Sequence, residues 1–294
     1  VRLVVASAAG GNADVVARIV AAGLEEVLGQ SILVQNMPAA SGMRATEAVA
    51  RAEPDGYTWL LGTSSQLVHN LALFDPLPVD ITAALRGVAL LNEAPAVLTV
   101  RAEGRTATLA AYLAAARARP GSIELGSGPT GTTTHVSGVL FARRAGIELL
   151  HVPYNAGSLA MADMLAGRIA SMIDISVTAI PAIQQGQVRG IAVAAGARLA
   201  PIADVPTMQE AGVPDFTAAT WNSLALPAGT PAAIVARLNE ATNAVVQTPA
   251  MRARLVGLGT IVPPPMSPDA VDAFYRSERA TWIPAVRATG ARAG

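Results

Sequence analysis

Apolar residues recur along this chain in two alternating rhythms. Short continuous runs of four to six, read as buried strands, are each followed by a glycine-bearing turn and then by an apolar stripe at helical spacing. The first cycle is clear. Arg2 to Ser7 reads as a strand, Ala8-Ala9-Gly10-Gly11-Asn12 as a turn, and the stretch to Leu28 as a helix with Val15, Val16, Ile19, Val20, Leu24 and Val27 on one face. Asn12 is expected to cap that helix, Asp14 lies in its first turn, and Gly29 ends it. Ser31 to Val34 follows as a second strand, completing a strand–helix–strand unit of a parallel sheet, whose ligands bind at the carboxyl ends of the strands.

The pattern continues with a helix over 43–52 and a third strand over 57–62, ending in Thr63-Ser64-Ser65-Gln66 on the same edge as the Gly10-Gly11 loop. A helix or turn near 67–73 precedes an irregular Asp75-Pro76-Leu77-Pro78 segment. Two separate strands are expected at 88–91 and 96–100, then a helix over 109–119 stopped by Pro120-Gly121. A second block repeats the rhythm. It has strands over 149–153, 171–175 and 188–194, and helices over 159–166 and 179–185. An extended segment at 218–227 crosses back, and helices over 231–246, 250–258 and 268–289, with Pro284 as a kink, pack on the first domain.

The chain's 294 residues suffice for two domains, and with 52% hydrophobic and 14% charged residues it is a globular protein. Acidic and basic residues balance to a net charge of zero, lysine is absent and the arginines are scattered, so nucleic acid and membrane surfaces are unsupported as partners. No cysteine is present, which excludes disulfides and thiol chemistry. No apolar run approaches the roughly 18 residues that span a bilayer. The chain begins inside an apolar run, as it would after removal of an export signal or trimming.

The chemistry concentrates in Ser122 to Gly138, SIELGSGPTGTTTHVSG. Glycines allow close backbone approach, and Thr hydroxyls with the free N–H groups of a helix start favour an anion. The same stretch is a G-x-G-x-x-G. A dinucleotide site, however, needs an acid at the end of the next strand, and Glu148 precedes that strand instead. Ser127 lacks the G-x-S-x-G elbow of a hydrolase nucleophile. A triad with His135 or His151 and Asp174 stays open, because triads are spatial. His69, His135 and His151 have no metal-ligand spacing. Trp221 either walls a ligand cleft or packs in a core.

Seven segments together resemble one family. They are RLVVASAAGGNADVVAR, LGQSILVQNMPAASG, AEPDGYTWLLGTSS, GSGPTGTTTHVSGVLF, HVPYNAG, DVPTMQEAGVPDF and PAGTPAAIVARLN. The chain is similar over nearly its whole length to the Bug (TctC-type) extracytoplasmic solute receptors of tripartite tricarboxylate transporters.

The resemblance implies an α/β, two-lobe, periplasmic-binding-protein-like (type 2) architecture with a ligand cleft between lobes and two crossing segments. Lobe 1 is then 1–99 plus 225–294, and lobe 2 is 100–224. It implies a periplasmic, monomeric receptor that closes over a small carboxylate and hands it to membrane transporter subunits, without a cofactor or metal. The ligand-binding positions carried over are Ser7, Ala8, Ala9, Gly10, Ser64 and Gln66 on one side. On the other they are Ser127, Gly128, Thr130, Gly131, Thr132, Thr133 and His135, with Asp174 beside the pocket. Tyr154, opening the glycine turn that follows the 149–153 strand, joins them as a candidate specificity residue.

Ser7 stands where the family commonly has Pro-Phe, and the 37–43 segment is less glycine-rich than usual; both bear on which ligand is bound. The alternative from another class is an α/β hydrolase or NAD-dependent dehydrogenase using the same cleft.

Overall fold

The computed structural model describes residues 1–104 and 106–292. These divide into two compact units. The first comprises 1–93, 221–256 and 261–294, and the second 94–220 and 257–260. The chain therefore passes between units within strands at 93/94 and 220/221, where the sequence placed the crossings at 99/100 and 224/225. The short return of 257–260 to the second unit was not anticipated. Gly259, at φ +72°, sits so close to Ile180 and Ser176 that a Cβ there would strike the Ile180 side chain.

In the first unit, strand β1 (Arg2–Val5) leads into helix α1 (Asn12–Leu28) and then β2 (Leu33–Asn36), which pairs with β1 in parallel. Helix α1 buries Val16, Ile19, Val20 and Leu24 as its periodicity requires, whereas Val27 is exposed. Its N-cap is Gly11, without a side-chain cap bond. Asn12, expected to be the cap, is already helical, and its amide reaches Asn222 instead. Gly29 ends the helix in the left-handed conformation, its N–H on the Glu25 carbonyl.

Helix α2 (Met43–Ala50) and strand β3 (Thr58–Thr63) follow, β3 lying parallel to β1 on its other side. The carboxyl ends of β1 and β3 thus share one edge, with Val5 opposite Leu61. A wide helical turn (Ser65–His69) and the short helices α3 (Asn70–Leu73) and α4 (Ile81–Ala84) lead to β4 (Leu85–Arg101).

The two strands expected at 88–91 and 96–100 are one 17-residue strand running through Pro95. Proline is tolerated there because the strand changes partners at that point. Glu93 bonds Ile261 through its backbone, and Ala96 bonds Ala218.

The second unit begins within β4 and continues with α5 (Leu109–Ala118), β5 (Glu124–Ser127), α6 (Thr133–Ala145), β6 (Leu150–Pro153), α7 (Gly157–Leu165), β7 (Ser171–Ile175), α8 (Ser176–Gln184) and β8 (Val188–Val193). Its sheet sets β5 between parallel β6 and β7, with β4 antiparallel to both β7 and β8. The carboxyl ends of β5, β6 and β7 therefore lie on one edge, carrying Ser127, Tyr154 and Asp174.

Strand β9 (Ala219–Pro227) returns to the first unit and pairs antiparallel with β3. Helices α9 (Ala232–Gln247), α10 (Pro249–Gly257) and α11 (Pro268–Ala288) complete the chain. Val271 and Tyr275 of α11 enter the core around Leu60, Leu67 and Trp221, as expected for a helical tail without a core of its own. Pro284 lies inside α11. Among the described residues no helix is long and apolar enough to cross a membrane.

Candidate functional site

Two loops, one in each unit, carry most of the residues singled out by the sequence. In the first unit, residues 6–11 follow β1. Asp14, in the first turn of α1 and only 3% exposed, is their anchor. Its carboxylate accepts from the Gly10 N–H at 2.8 Å, from Asn36 Nδ2 at 3.0 Å and from Arg18 Nε at 3.1 Å. Asn36 Nδ2 also donates to the Ser7 carbonyl at 3.0 Å. Burial raises the Asp14 pKa, but the hydrogen bonds from Arg18, Gly10 and Asn36 outweigh it and hold the carboxyl below its ordinary value. Gly10, at φ +77°, adopts a conformation other residues rarely reach.

Ser64 and Gln66 are buried at the adjacent β3 end. The Gln66 side chain is committed within the unit. Its Oε1 accepts from Thr63 N at 3.0 Å and Thr63 Oγ1 at 2.7 Å, while Nε2 donates to the Ser41 carbonyl at 3.3 Å. Gln66 therefore shapes the turn rather than presenting an amide outward. Trp221 is 2% exposed, donates to Glu278 Oε2 at 2.7 Å and stacks on Tyr275 at 5.2 Å, so it packs in a core.

In the second unit, residues 127–132 join β5 to α6. The Gly128 N–H donates to Thr134 Oγ1 at 3.0 Å, and Thr132 Oγ1 reaches the Pro129 carbonyl at 2.6 Å and Thr134 Oγ1 at 3.2 Å. Gly131 takes φ +82°. Several of the hydroxyls thus hold the loop's own backbone, with the first turn of α6, which includes Thr133, immediately behind it. Backbone N–H groups at a helix start favour an anion without requiring a guanidinium.

Ser127 is fully buried, its Oγ 3.0 Å from the Gly128 carbonyl and 2.9 Å from His151 Nε2. The His151 ring stacks on His135 at 4.5 Å between centroids and 18° between planes. Burial, and then the neighbouring His135, push His151 down to about 4; burial alone lowers His135.

Tyr154 and Asp174 share this edge but are engaged internally. The Tyr154 hydroxyl donates to Asp163 Oδ2 at 2.9 Å. Asp174 Oδ1 accepts from the Ile175 N–H at 2.8 Å and Thr178 Oγ1 at 2.7 Å. Burial pushes its carboxyl up to about 6 against those two bonds. The triad left open by the sequence does not assemble, since Ser127 meets His151 whereas Asp174 is taken up by Thr178 and Ile175. Asn36 and Thr134 were absent from the sequence-derived set, and His151 entered it only as a triad or metal candidate, never as a ligand-loop residue. Its signal was its place at the start of the HVPYNAG segment, two residues before the strand ends. Among the described residues no group of three or more histidine or carboxylate side chains is placed to hold a metal ion.

A family model described as "Tripartite tricarboxylate transporter family receptor" matches residues 16–290. Protein BugT of Bordetella pertussis is 32% identical over 99% of this chain and 90% of its own length. Among solved structures, Rpa4515 of R. palustris with adipate superposes with a TM-score of 0.94 at 31% identity, covering 99% of this chain and 97% of that one. MatC of Rhodopseudomonas palustris with bound malate gives 0.88 at 32% identity, covering 97% and 99%. The expected two-lobe solute-binding fold class agrees with these likenesses.

Proposed function

Because the chain belongs to the tripartite tricarboxylate transporter family of receptors, we propose that it is a periplasmic solute-binding receptor that captures a small carboxylate and delivers it to membrane transporter subunits. Two similar receptors hold adipate and malate, so a dicarboxylate is the first ligand class to test. The receptor works as a monomer and performs no chemistry on its ligand.

The observation that carries this reading is the construction of the 127–134 loop. Thr132 and Thr134 brace its backbone, and Ser127, Gly128 and Thr132 bond to carbonyls, a threonine hydroxyl and the neutral His151 ring. In the first unit, Arg18 is engaged by Asp14. A carboxylate held by oriented N–H dipoles and hydroxyls is bound without a desolvated ion pair, which suits a ligand that must be released again.

The carried-over positions act in two sets. Ser7, Ala8, Ala9, Gly10 and Ser64 serve in one, and Ser127, Gly128, Thr130, Gly131, Thr132, Thr133 and His135 in the other. The side chains of Gln66, Tyr154 and Asp174, carried over with them, are taken up by Thr63 and Ser41, by Asp163, and by Thr178 and Ile175.

Calorimetry of the purified protein against malate, adipate and a panel of monocarboxylates, amino acids and amides tests the reading. Saturable binding of a dicarboxylate is the expected result. Turnover of an ester or of a nicotinamide cofactor by the pure protein would overturn it.

A further inference from the structure

We propose that His151 is a positioning residue for carboxylate binding, gripping the 127–132 loop at both ends so that its N–H groups are presented in one shape. The inference rests on the receptor reading above. Strand β6 pairs in parallel with β5, setting His151 opposite Leu125, two residues short of the point where the loop departs. From there the ring reaches Ser127 Oγ, the loop's first side chain, at 2.9 Å. The same ring lies flat on His135, in the first turn of α6 where the loop ends. One turn further along α6, a Cβ at Gly138 would come within 3.2 Å of His151 Cε1, so the glycine leaves room for the ring against the helix. One imidazole therefore touches the entrance of the loop and the helix that receives its exit.

The proton inventory defines the ring's role. A serine hydroxyl has one hydrogen, and here it is directed at the Gly128 carbonyl, 3.0 Å away. Both contacts of Ser127 are hydrogen bonds only if His151 Nε2 carries the proton and donates to Oγ. In that tautomer Nε2 has no lone pair to accept the serine proton, which separates this arrangement from a nucleophile–base pair. What the loop needs from His151 is a neutral donor in a fixed place, and the low-polarity surroundings keep the ring neutral. Within the loop, the Gly128 N–H donates to Thr134 Oγ1, and Thr132 Oγ1 meets the Pro129 carbonyl and Thr134 Oγ1. The Ser127 side chain is tied to β6 through His151.

The test is calorimetry with malate and adipate at pH 7.5 on wild type, His151→Phe, His151→Gln, Ser127→Ala and the Ser127→Ala/His151→Phe double variant. Phenylalanine keeps the volume and the stack on His135 but has no donor; glutamine places an amide N–H at comparable reach. The expected result is at least a tenfold weaker Kd for H151F, recovery of most of that loss in H151Q, and a double variant no weaker than the worse single one, since both changes remove the same bond.

H151F binding within threefold of wild type while folded by circular dichroism would overturn the proposal. So would an H151Q as weak as H151F. If H151F does not fold, the comparison passes to S127A, which removes the bond from the other side and carries the same tenfold expectation and the same threefold limit. Wild-type protein that binds no acid in the panel defeats the receptor reading itself, a different result from wild-type binding that the variants leave intact.

Discussion

Replacing Asp14 by alanine should cost the protein about 3 kcal/mol and detach the loop after β1 from its anchor. The carboxylate is almost wholly buried and collects the Gly10 N–H, the Asn36 amide and the Arg18 guanidinium. The first two are the substantial ones. Hydrogen bonds to a charged acceptor are worth roughly 1.5–3 kcal/mol each, and truncation leaves both donors to find water. The Arg18 side chain is 54% exposed, so its ion pair adds only about 0.5 kcal/mol.

These terms sum to about 3.5–6.5 kcal/mol. Because the loop lies partly at the surface, water recovers some of this, and the lower end is expected. Asp14→Asn keeps the shape and an acceptor for Gly10, but sets an NH2 group against another donor; about 1–3 kcal/mol is expected. Urea denaturation at pH 7 measures both. The pH dependence has a definite sign: a carboxyl held below its unfolded value contributes stability above about pH 3.9 and loses it as pH falls through the folded value. An Asp14→Ala variant within 0.5 kcal/mol of wild type would show that the anchor reading of this loop is mistaken.

Three further expectations follow from the same geometry. Asp174 is raised to about 6, so the folded state binds a proton more tightly than the unfolded chain; stability should fall as pH climbs from about 4 to 6, and Asp174→Asn should gain on the order of 2 kcal/mol in urea at pH 8. No gain in that variant would mean the carboxylate is better solvated than its burial suggests. His151 is depressed to about 4 against 6.5 unfolded, so stability should decline as pH drops through that window, by about 1 kcal/mol once its partial exposure is discounted. The decline should flatten in His151→Gln, and an unchanged slope would assign it to other groups. Gly42→Ala puts a side chain at φ +79°, where its Cβ would lie 2.6 Å from Gln66 Nε2 and 2.7 Å from Ala6 Cβ; a loss above about 2 kcal/mol is expected by urea titration, and a neutral result would mean the 40–42 turn rearranges freely.

The Gly/Thr loop was legible in the sequence because its conformation is local. Glycine, proline and threonine dictate a turn into a helix wherever they fall in that order, and the strand rhythm on either side fixes which sheet edge carries it. The βαβ opening of the first unit was readable for the same reason. Strand β4 was not, because Pro95 reads as a breaker until its neighbours are known. The missing N–H costs little at a residue where the strand passes from one set of partners to another.

Side-chain commitments were the other hidden layer. Gln66 and Tyr154 are polar residues at strand ends, where ligand contacts are expected, yet Thr63, Ser41 and Asp163 claim them. Asn12 failed as a cap because Gly11 already provides the extended residue before α1 and Asn222 draws the amide away. His151 stood in view as a strand histidine, but its use depends on parallel pairing with β5, a relation between segments 24 residues apart.

The central claim is that this chain binds a small carboxylate and leaves it unchanged. The most direct test is a single calorimetric titration of malate into the purified protein, followed by recovery and identification of the bound acid. The account predicts saturable one-to-one binding and the same acid recovered intact. Absence of heat with malate and with every other carboxylate, or recovery of a converted product, would contradict it.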